Sequence, residues 1–161
     1  MNKKTIKPEN ALSRLADLCA RSEQCSYEVS EKLKKWGIST TDSSRILKTL
    51  KEGRYIDDFR YAAAYAADKL RFSGWGKRKI ALMLRAKRIP AEHIQHVISN
   101  IDPDEYLQQA VTLLKSRCHG KSILKSREET IKIVRFGMQR GFEYDILVKA
   151  IKAIEKHAQD S

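Results

Sequence analysis

The sequence predicts an all-α protein: three tandem three-helix repeats stacked into an elongated, curved array. Three observations carry that expectation. No hairpin dipeptide and no sustained period-two alternation marks a strand. Apolar residues recur instead at helical spacing, in about nine stretches with short connections. Finally, Lys34-Lys-Trp-Gly-Ile38, Arg85-Ala-Lys-Arg-Ile89 and Met138-Gln-Arg-Gly-Phe142 occupy matching places, 51 and then 53 residues apart. Each precedes a helix of similar pattern: Ile46, Leu47, Leu50; then Ile94, Val97, Ile98, Ile101; then Ile146, Leu147, Ala150, Ile151, Ile154. The repeats are therefore expected at 8–56, 57–101 and 102–158.

In the first repeat, Pro8 precedes the apolar set Leu12, Leu15, Ala16 and Cys19, and Gly37 reads as a left-handed C-cap followed by Ile38. The second repeat opens at Asp57, whose carboxylate can accept the orphan N–H groups of a first turn. Asp58 adds negative charge where the helix dipole favours it. Phe59, Ala62, Ala63, Ala66 and Leu70 then make one apolar face. A glycine-flanked elbow, Ser73-Gly74-Trp75-Gly76, leads into a helix over Lys77 to Arg88, with Ile80, Met83 and Leu84 on one face and Arg78 and Arg85 on the other. Pro90 precedes the last helix of this repeat. In the third repeat, Asp102-Pro-Asp-Glu105 and Ser126-Arg-Glu-Glu129 have capping-box spacing, and the second opens a stretch carrying Ile131, Val134 and Met138. Gly141 repeats the C-cap signal before Phe142. The longest gap, Ser116 to Lys125, reads as a basic loop around Gly120.

Hydrophobic content of 42% and charged content of 32% suit helices with one buried stripe and one wet face. A net charge of +12 points to polyanions: nucleic acid, an acidic protein surface or anionic lipid. Lipid is the weakest of these, because no apolar run approaches the length of a membrane span. No export signal follows the polar start MNKKTIKPEN, so the expected setting is cytoplasmic, without a membrane partner. Cys19, Cys25 and Cys118 are odd in number and fit no zinc spacing, which reads as buried or free thiols in a reducing compartment.

Catalytic and cofactor patterns are absent. Gly74-Trp-Gly-Lys77 invites a phosphate-loop reading, but a Walker A loop needs glycine where Arg71 stands, Ser or Thr where Arg78 stands, and a preceding strand. His93 and His96 share a helix face with no third metal ligand in view. Cys118-His119 has no orienting carboxylate that sequence identifies, and helix capping accounts for Asp57 and Asp58. The reading is therefore a protein that is not an enzyme and carries no cofactor or metal.

Positive charge is concentrated. Between Asp68 and Glu92 stand Lys69, Arg71, Lys77, Arg78, Lys79, Arg85, Lys87 and Arg88, and no acidic residue. An ordinary solvated face mixes signs, so Arg71, Lys77, Arg78, Lys79, Arg85, Lys87 and Arg88 are read as a partner- or DNA-binding face. Lys34, Lys35, Lys121 and Lys125 form a secondary set. Tyr61 and Tyr65, one turn apart, either pack against a neighbouring repeat or stack on bases.

These residues resemble the RecX family of bacterial recombination regulators. The matches are Leu50-Lys-Glu-Gly-Arg-Tyr-Ile-Asp-Asp-Phe59, Gly76-Lys-Arg-Lys-Ile80 with Leu84, Lys132-Ile-Val-Arg-Phe136 and Arg140-Gly-Phe142, with Ala11-Leu-Ser-Arg-Leu15 and Ser26-Tyr-Glu-Val29 through Leu33 nearer the start. Each motif alone is weak, and their order and spacing together are specific. Two departures are Arg88, where the family usually has glycine before the isoleucine, and the elaborated Ser116–Lys125 loop. The resemblance implies a non-catalytic monomer that binds in the groove of the RecA–DNA filament. There it would restrain strand exchange, ATP hydrolysis and co-protease action. Direct, non-specific contact with the DNA phosphate backbone is compatible with it. Two other classes stay open on the residues alone: a stand-alone nucleic-acid-binding protein, and a helical adaptor for an acidic protein. A compact chain of 161 residues would have a radius of gyration of roughly 15 Å. Small-angle scattering is expected to give a clearly larger value, and a compact result would refute the stacked array.

Overall fold

The computed structural model describes residues 6–119, 123 and 126–160. Among them are nine α-helices and no strand: α1 (Pro8–Arg21), α2 (Ser26–Lys35), α3 (Thr40–Glu52), α4 (Asp58–Phe72), α5 (Lys77–Ala86), α6 (Ala91–Ser99), α7 (Pro103–Cys118), α8 (Arg127–Gln139) and α9 (Tyr144–Gln159).

The helix ends follow local chemistry. Asp57 Oδ1 accepts the N–H of Arg60 at 2.9 Å and caps α4, as its position implies. Asp58 serves a different helix: its Oδ1 accepts the N–H of Ser26 at 2.7 Å, at the start of α2. Asp102 and Ser126 cap α7 and α8 by accepting the N–H groups of Glu105 and Glu129. Glu105 does not close its box reciprocally, because its carboxylate is paired with Arg71 instead.

Three helix ends at matching places in the sequence share one geometry. Gly37, Arg88 and Gly141 all have left-handed backbone, with φ of 73°, 56° and 95°. At each the next residue, Ile38, Ile89 or Phe142, donates its N–H to a carbonyl five residues back, at 3.1 Å. This is the paired bonding of a Schellman turn. Arg88 thus keeps the turn without glycine. Left-handed backbone costs an L-residue about 1 kcal/mol or more. The Arg88 guanidinium lies 4.7 Å from the Tyr27 ring centre, a contact worth about 0.5–1 kcal/mol, so the two effects are comparable.

The helices gather into two compact units. One holds the described residues up to Ala64 together with Leu84–Ile94; the other holds Tyr65–Met83 and the described residues from Gln95 onward. Neither coincides with one sequence repeat, because α4, α5 and α6 each contribute residues to both. The first unit is built on Ala11, Leu15, Val29, Leu33, Ile46, Leu50 and Ile56, drawn from α1, α2, α3 and the turn after α3. In the second, α7 packs most extensively on α9, with Tyr106, Ala110 and Leu114 buried on one and Leu147, Ala150 and Ile151 on the other.

Three expectations from periodicity need correcting. On α4, Phe59 and Ala63 are exposed, and Tyr61 joins Ala62, Ala66 and Leu70 inside. The tyrosine ring can go inward because its hydroxyl has a partner in the Lys87 side chain. On α8 the only buried residue is Gly137, while Ile131 and Met138 are 48% and 44% exposed. A Cβ on Gly137 would come within 2.3 Å of the Leu147 side chain, so α8 leans on α9 through its glycine rather than its apolar stripe. Finally, α7 continues to Cys118, so the gap expected from Ser116 is helical at its start, and Ile123 within it is buried.

Another close approach is between backbones. A Cβ on Gly76 would lie 2.4 Å from the Gly141 carbonyl and the Phe142 nitrogen, all backbone atoms that cannot swing aside. Gly76→Ala is therefore expected to destabilise the fold by about 1–3 kcal/mol, read as a fall in Tm. Gly53→Ala is the control: its φ is −78° and the nearest atom is the Tyr55 ring. A Tm as little changed in the first variant as in the second would refute the packing argument.

Candidate functional site

The basic cluster is built around the elbow between α4 and α5. Gly74 turns the chain with φ of 63°, and the Trp75 N–H returns to the Lys69 carbonyl at 3.0 Å. The Trp75 ring is half-buried, edge-on to Tyr65 at 6.5 Å between centroids. Two ammonium groups lie over it, Lys69 Nζ at 4.9 Å and Lys79 Nζ at 4.5 Å from its centre. Aromatic faces attract cations without neutralising them. The charge stays.

At the start of α5 three backbone donors are already used. Gly76 donates to the Arg140 carbonyl at 2.8 Å, Arg78 to the Gly141 carbonyl at 3.1 Å, and Lys77 to the Tyr106 hydroxyl at 3.0 Å. A helix N-terminus ordinarily offers such N–H groups to an anion. Here the carbonyls of Arg140 and Gly141, just past α8, take two of them and the Tyr106 hydroxyl of α7 takes the third, which removes the phosphate-loop reading on geometric grounds as well. The Tyr106 hydroxyl in turn donates to Glu143 Oε2 at 2.5 Å, and its ring stacks on Phe142 at 5.1 Å. Burial, and then the bond to Glu143, raise the hydroxyl far above the usual tyrosine range, so it remains protonated. The Lys77 ammonium sits 4.6 Å above the same ring.

The remaining cations divide sharply. Arg71 is paired with Glu105 at 2.6 Å, and that hydrogen bond holds the half-buried Glu105 carboxyl below its ordinary value. Lys87 is half-buried and pairs with Glu28 of α2, its ammonium also near the Tyr61 ring. Burial opposes that ammonium, but the bond to Glu28 and the neighbouring Tyr61 outweigh it, and its pKa is raised. Tyr61 itself is pushed up to about 12, by burial first and then by the Glu28 charge. Its buried ring cannot stack on bases. Arg78 and Arg85 are exposed and, among the described residues, in no ion pair, seven apart on α5 and opposite the buried Ile80 and Leu84. Lys34 and Lys35 are exposed in the last turn of α2. Lys121 and Lys125 lie outside the described residues.

Of the eight cations between Asp68 and Glu92, carboxylates among the described residues therefore neutralise only Arg71 and Lys87. Lys69, Lys77, Lys79 and Arg88 are held on aromatic rings, and Arg78 and Arg85 point outward. Sequence reasoning missed Tyr106, Glu143, Arg140 and Glu28, which anchor this arrangement from distant positions and carry no local signal. The cysteines are free thiols, with Cys25 fully buried and raised to about 11 mainly by that burial. Among the described residues no three His, Cys, Asp or Glu side chains gather into a metal-sized cluster. No described helix is long and apolar enough to cross a membrane.

Residues 57–98 match the family model for RecX, second three-helix domain. The regulatory protein RecX of Acinetobacter baylyi is 31% identical over 139 residues, which cover 86% of this chain and 84% of that protein. The chain belongs to the RecX family. The RecX protein of Vibrio parahaemolyticus is 27% identical over 134 residues, 83% of this chain and 84% of that relative. The Bacillus licheniformis RecX protein is 28% identical over 133 residues, and this chain spans about half of its length, 51%. The crystal structure of RecX from Lactobacillus salivarius shares the fold, with a TM-score of 0.79 over 92% of this chain and 96% of that one, at 22% identity. The curated relatives are named as regulatory proteins. Where the RecX resemblance leads one to expect glycine at the α5–α6 turn, this chain uses Arg88.

The division of the cations has a measurable consequence. Lys87→Ala strands the Glu28 carboxylate and is expected to cost about 1–2 kcal/mol. Arg78→Ala and Arg85→Ala, which break no pair, should each stay within about 0.5 kcal/mol of the parent. Chemical denaturation checks all three, and equal losses would mean that the arginines are structural too.

Proposed function

We propose that this chain is a non-catalytic regulator of homologous recombination and DNA repair that binds the RecA–DNA filament and restrains RecA strand exchange, ATP hydrolysis and co-protease action. Membership of the RecX family supports the choice of partner. The observation that carries the mode of binding is the uncompensated charge of α4–α5. Six of the eight cations between Asp68 and Glu92 pair with no carboxylate among the described residues. A filament groove lined with phosphate-bearing DNA is a fitting counterpart for such a surface.

In this reading the repeats run over 8–56, 57–101 and 102–158, and the chain acts as a cytoplasmic monomer without a cofactor. Arg78 and Arg85 make the principal contacts, with Lys79, Lys77 and Arg88 adding positive charge. Lys87 and Arg71 contribute by fixing the helices that carry them, and Lys34 and Lys35 form a secondary basic set. Contact with DNA is to phosphates and without sequence preference.

Arg78→Glu with Arg85→Glu is expected to leave Tm unchanged within about 0.5 kcal/mol of stability. Co-sedimentation with RecA filaments on single-stranded DNA should fall sharply, together with the effect on RecA ATP hydrolysis. The log–log salt dependence of residual binding should become shallower, by about 0.7 for each single-strand phosphate that is no longer neutralised. Unchanged filament binding by a folded double mutant overturns the assignment of this surface. Equal losses on bare DNA and on filaments favour a stand-alone DNA-binding protein.

A further inference from the structure

The stripe on α8 that periodicity assigns to the core lines a groove. Thr130, Ile131, Val134 and Met138 of α8 face Tyr144 of α9 across a cleft of ≈ 620 Å³. A second cleft, ≈ 430 Å³, shares Thr130, Val134 and Tyr144 and continues along α9 past Val148 and Ile151 to Gln159. From Tyr144 to Gln159 the groove follows one helix for about 22 Å, roughly four helical turns. Its floor is apolar, yet Ile131, Met138 and Tyr144 are 48%, 44% and 61% exposed. Contiguous exposed apolar surface of this kind marks a binding site more often than chance.

The rim says what covers it. Arg135, Lys152, Glu155 and Lys156 are the charged lining residues. The one carboxylate, Glu155, already accepts the Ile123 N–H at 2.8 Å. The three cations are in no ion pair among the described residues. A second copy, itself carrying +12, would bring like charge to this rim. We propose that the α8–α9 groove binds an amphipathic helix of a partner protein, with apolar residues at i, i+3, i+4 and i+7 and acidic residues on its flanks. This surface lies apart in sequence from the α4–α5 cations and does not rest on the filament reading.

The probe is a synthetic amphipathic helix of about four turns, with leucines on one face and glutamates on the flanks; its control replaces the glutamates by lysines. Fluorescence anisotropy on the full chain should show binding of the glutamate peptide alone, weakened by salt. Met138→Glu should reduce it about tenfold or more, and Ile131→Glu provides the same reading should that variant fold poorly. Arg135→Glu with Lys152→Glu should exchange the preference, so that the lysine peptide binds better. Circular dichroism melts establish that each variant is folded, and Arg78→Glu with Arg85→Glu should leave peptide binding intact. The proposal is overturned by equal binding of both peptides or by no binding. It is equally overturned by a concentration-dependent dimer in sedimentation that Met138→Glu abolishes, which would make a second copy the occupant.

Discussion

Between Gly76 and Gly141 two stretches of backbone meet with no side chain between them, and this contact organises the unit that holds α7, α8 and α9. The carbonyls of Arg140 and Gly141, in the turn that ends α8, receive the N–H groups of Gly76 and Arg78 at the start of α5, so donors that a helix start leaves unsatisfied find partners here. The negative end of the α8 dipole thus lies beside the positive end of the α5 dipole, which favours the contact further. Tyr106 extends the joint by accepting from Lys77 and donating to Glu143, with its ring stacked on Phe142. These polar groups are all paired with one another, as buried networks require. A side chain at either glycine would hold the backbones apart and leave those groups unpaired. The position of Arg78 and its basic neighbours is a consequence of this joint.

How the cations are held decides which of them keep their charge. Ion pairs fix Arg71 and Lys87 and cancel their charge, whereas rings fix Lys69, Lys77, Lys79 and Arg88 and leave the charge intact. The second device preserves the positive potential of the surface. Arg88 shows the same trade at a turn: an arginine in left-handed backbone adds a charge at a place where glycine would be easier, and Tyr27 beneath it compensates. The α8–α9 groove adds a surface of different chemistry, apolar along its floor and basic at its rim.

Much of this molecule is legible in the sequence because it is written in short-range chemistry. Asp57, Asp102 and Ser126 cap helices over three residues of sequence, and Gly37 and Gly141 end them within one turn. The apolar sets on α3, α6 and α9 are buried or half-buried, as their spacing implies. The failures share a cause. The hydroxyl of Tyr61 favours packing without excluding base stacking, and Lys87, reached through the fold, satisfies it inside. Met138 and Ile131 read as core because they are apolar. Burial of α8 is decided instead by how near it must come to Leu147, and only Gly137 permits that distance.

Helix content, helix ends and the excess of positive charge follow from the sequence by itself, because capping, periodicity and charge counting need nothing beyond neighbouring residues. Which face of α4 and α8 turns inward, and which lysines keep their charge available, was decided by the tertiary structure. Those outcomes depend on partners 26 to 67 residues away: Tyr61 with Lys87, Lys77 with Tyr106, Arg140 with Ser73. No local pattern encodes such a distance, because the free energy that selects the pair exists only once the helices have met.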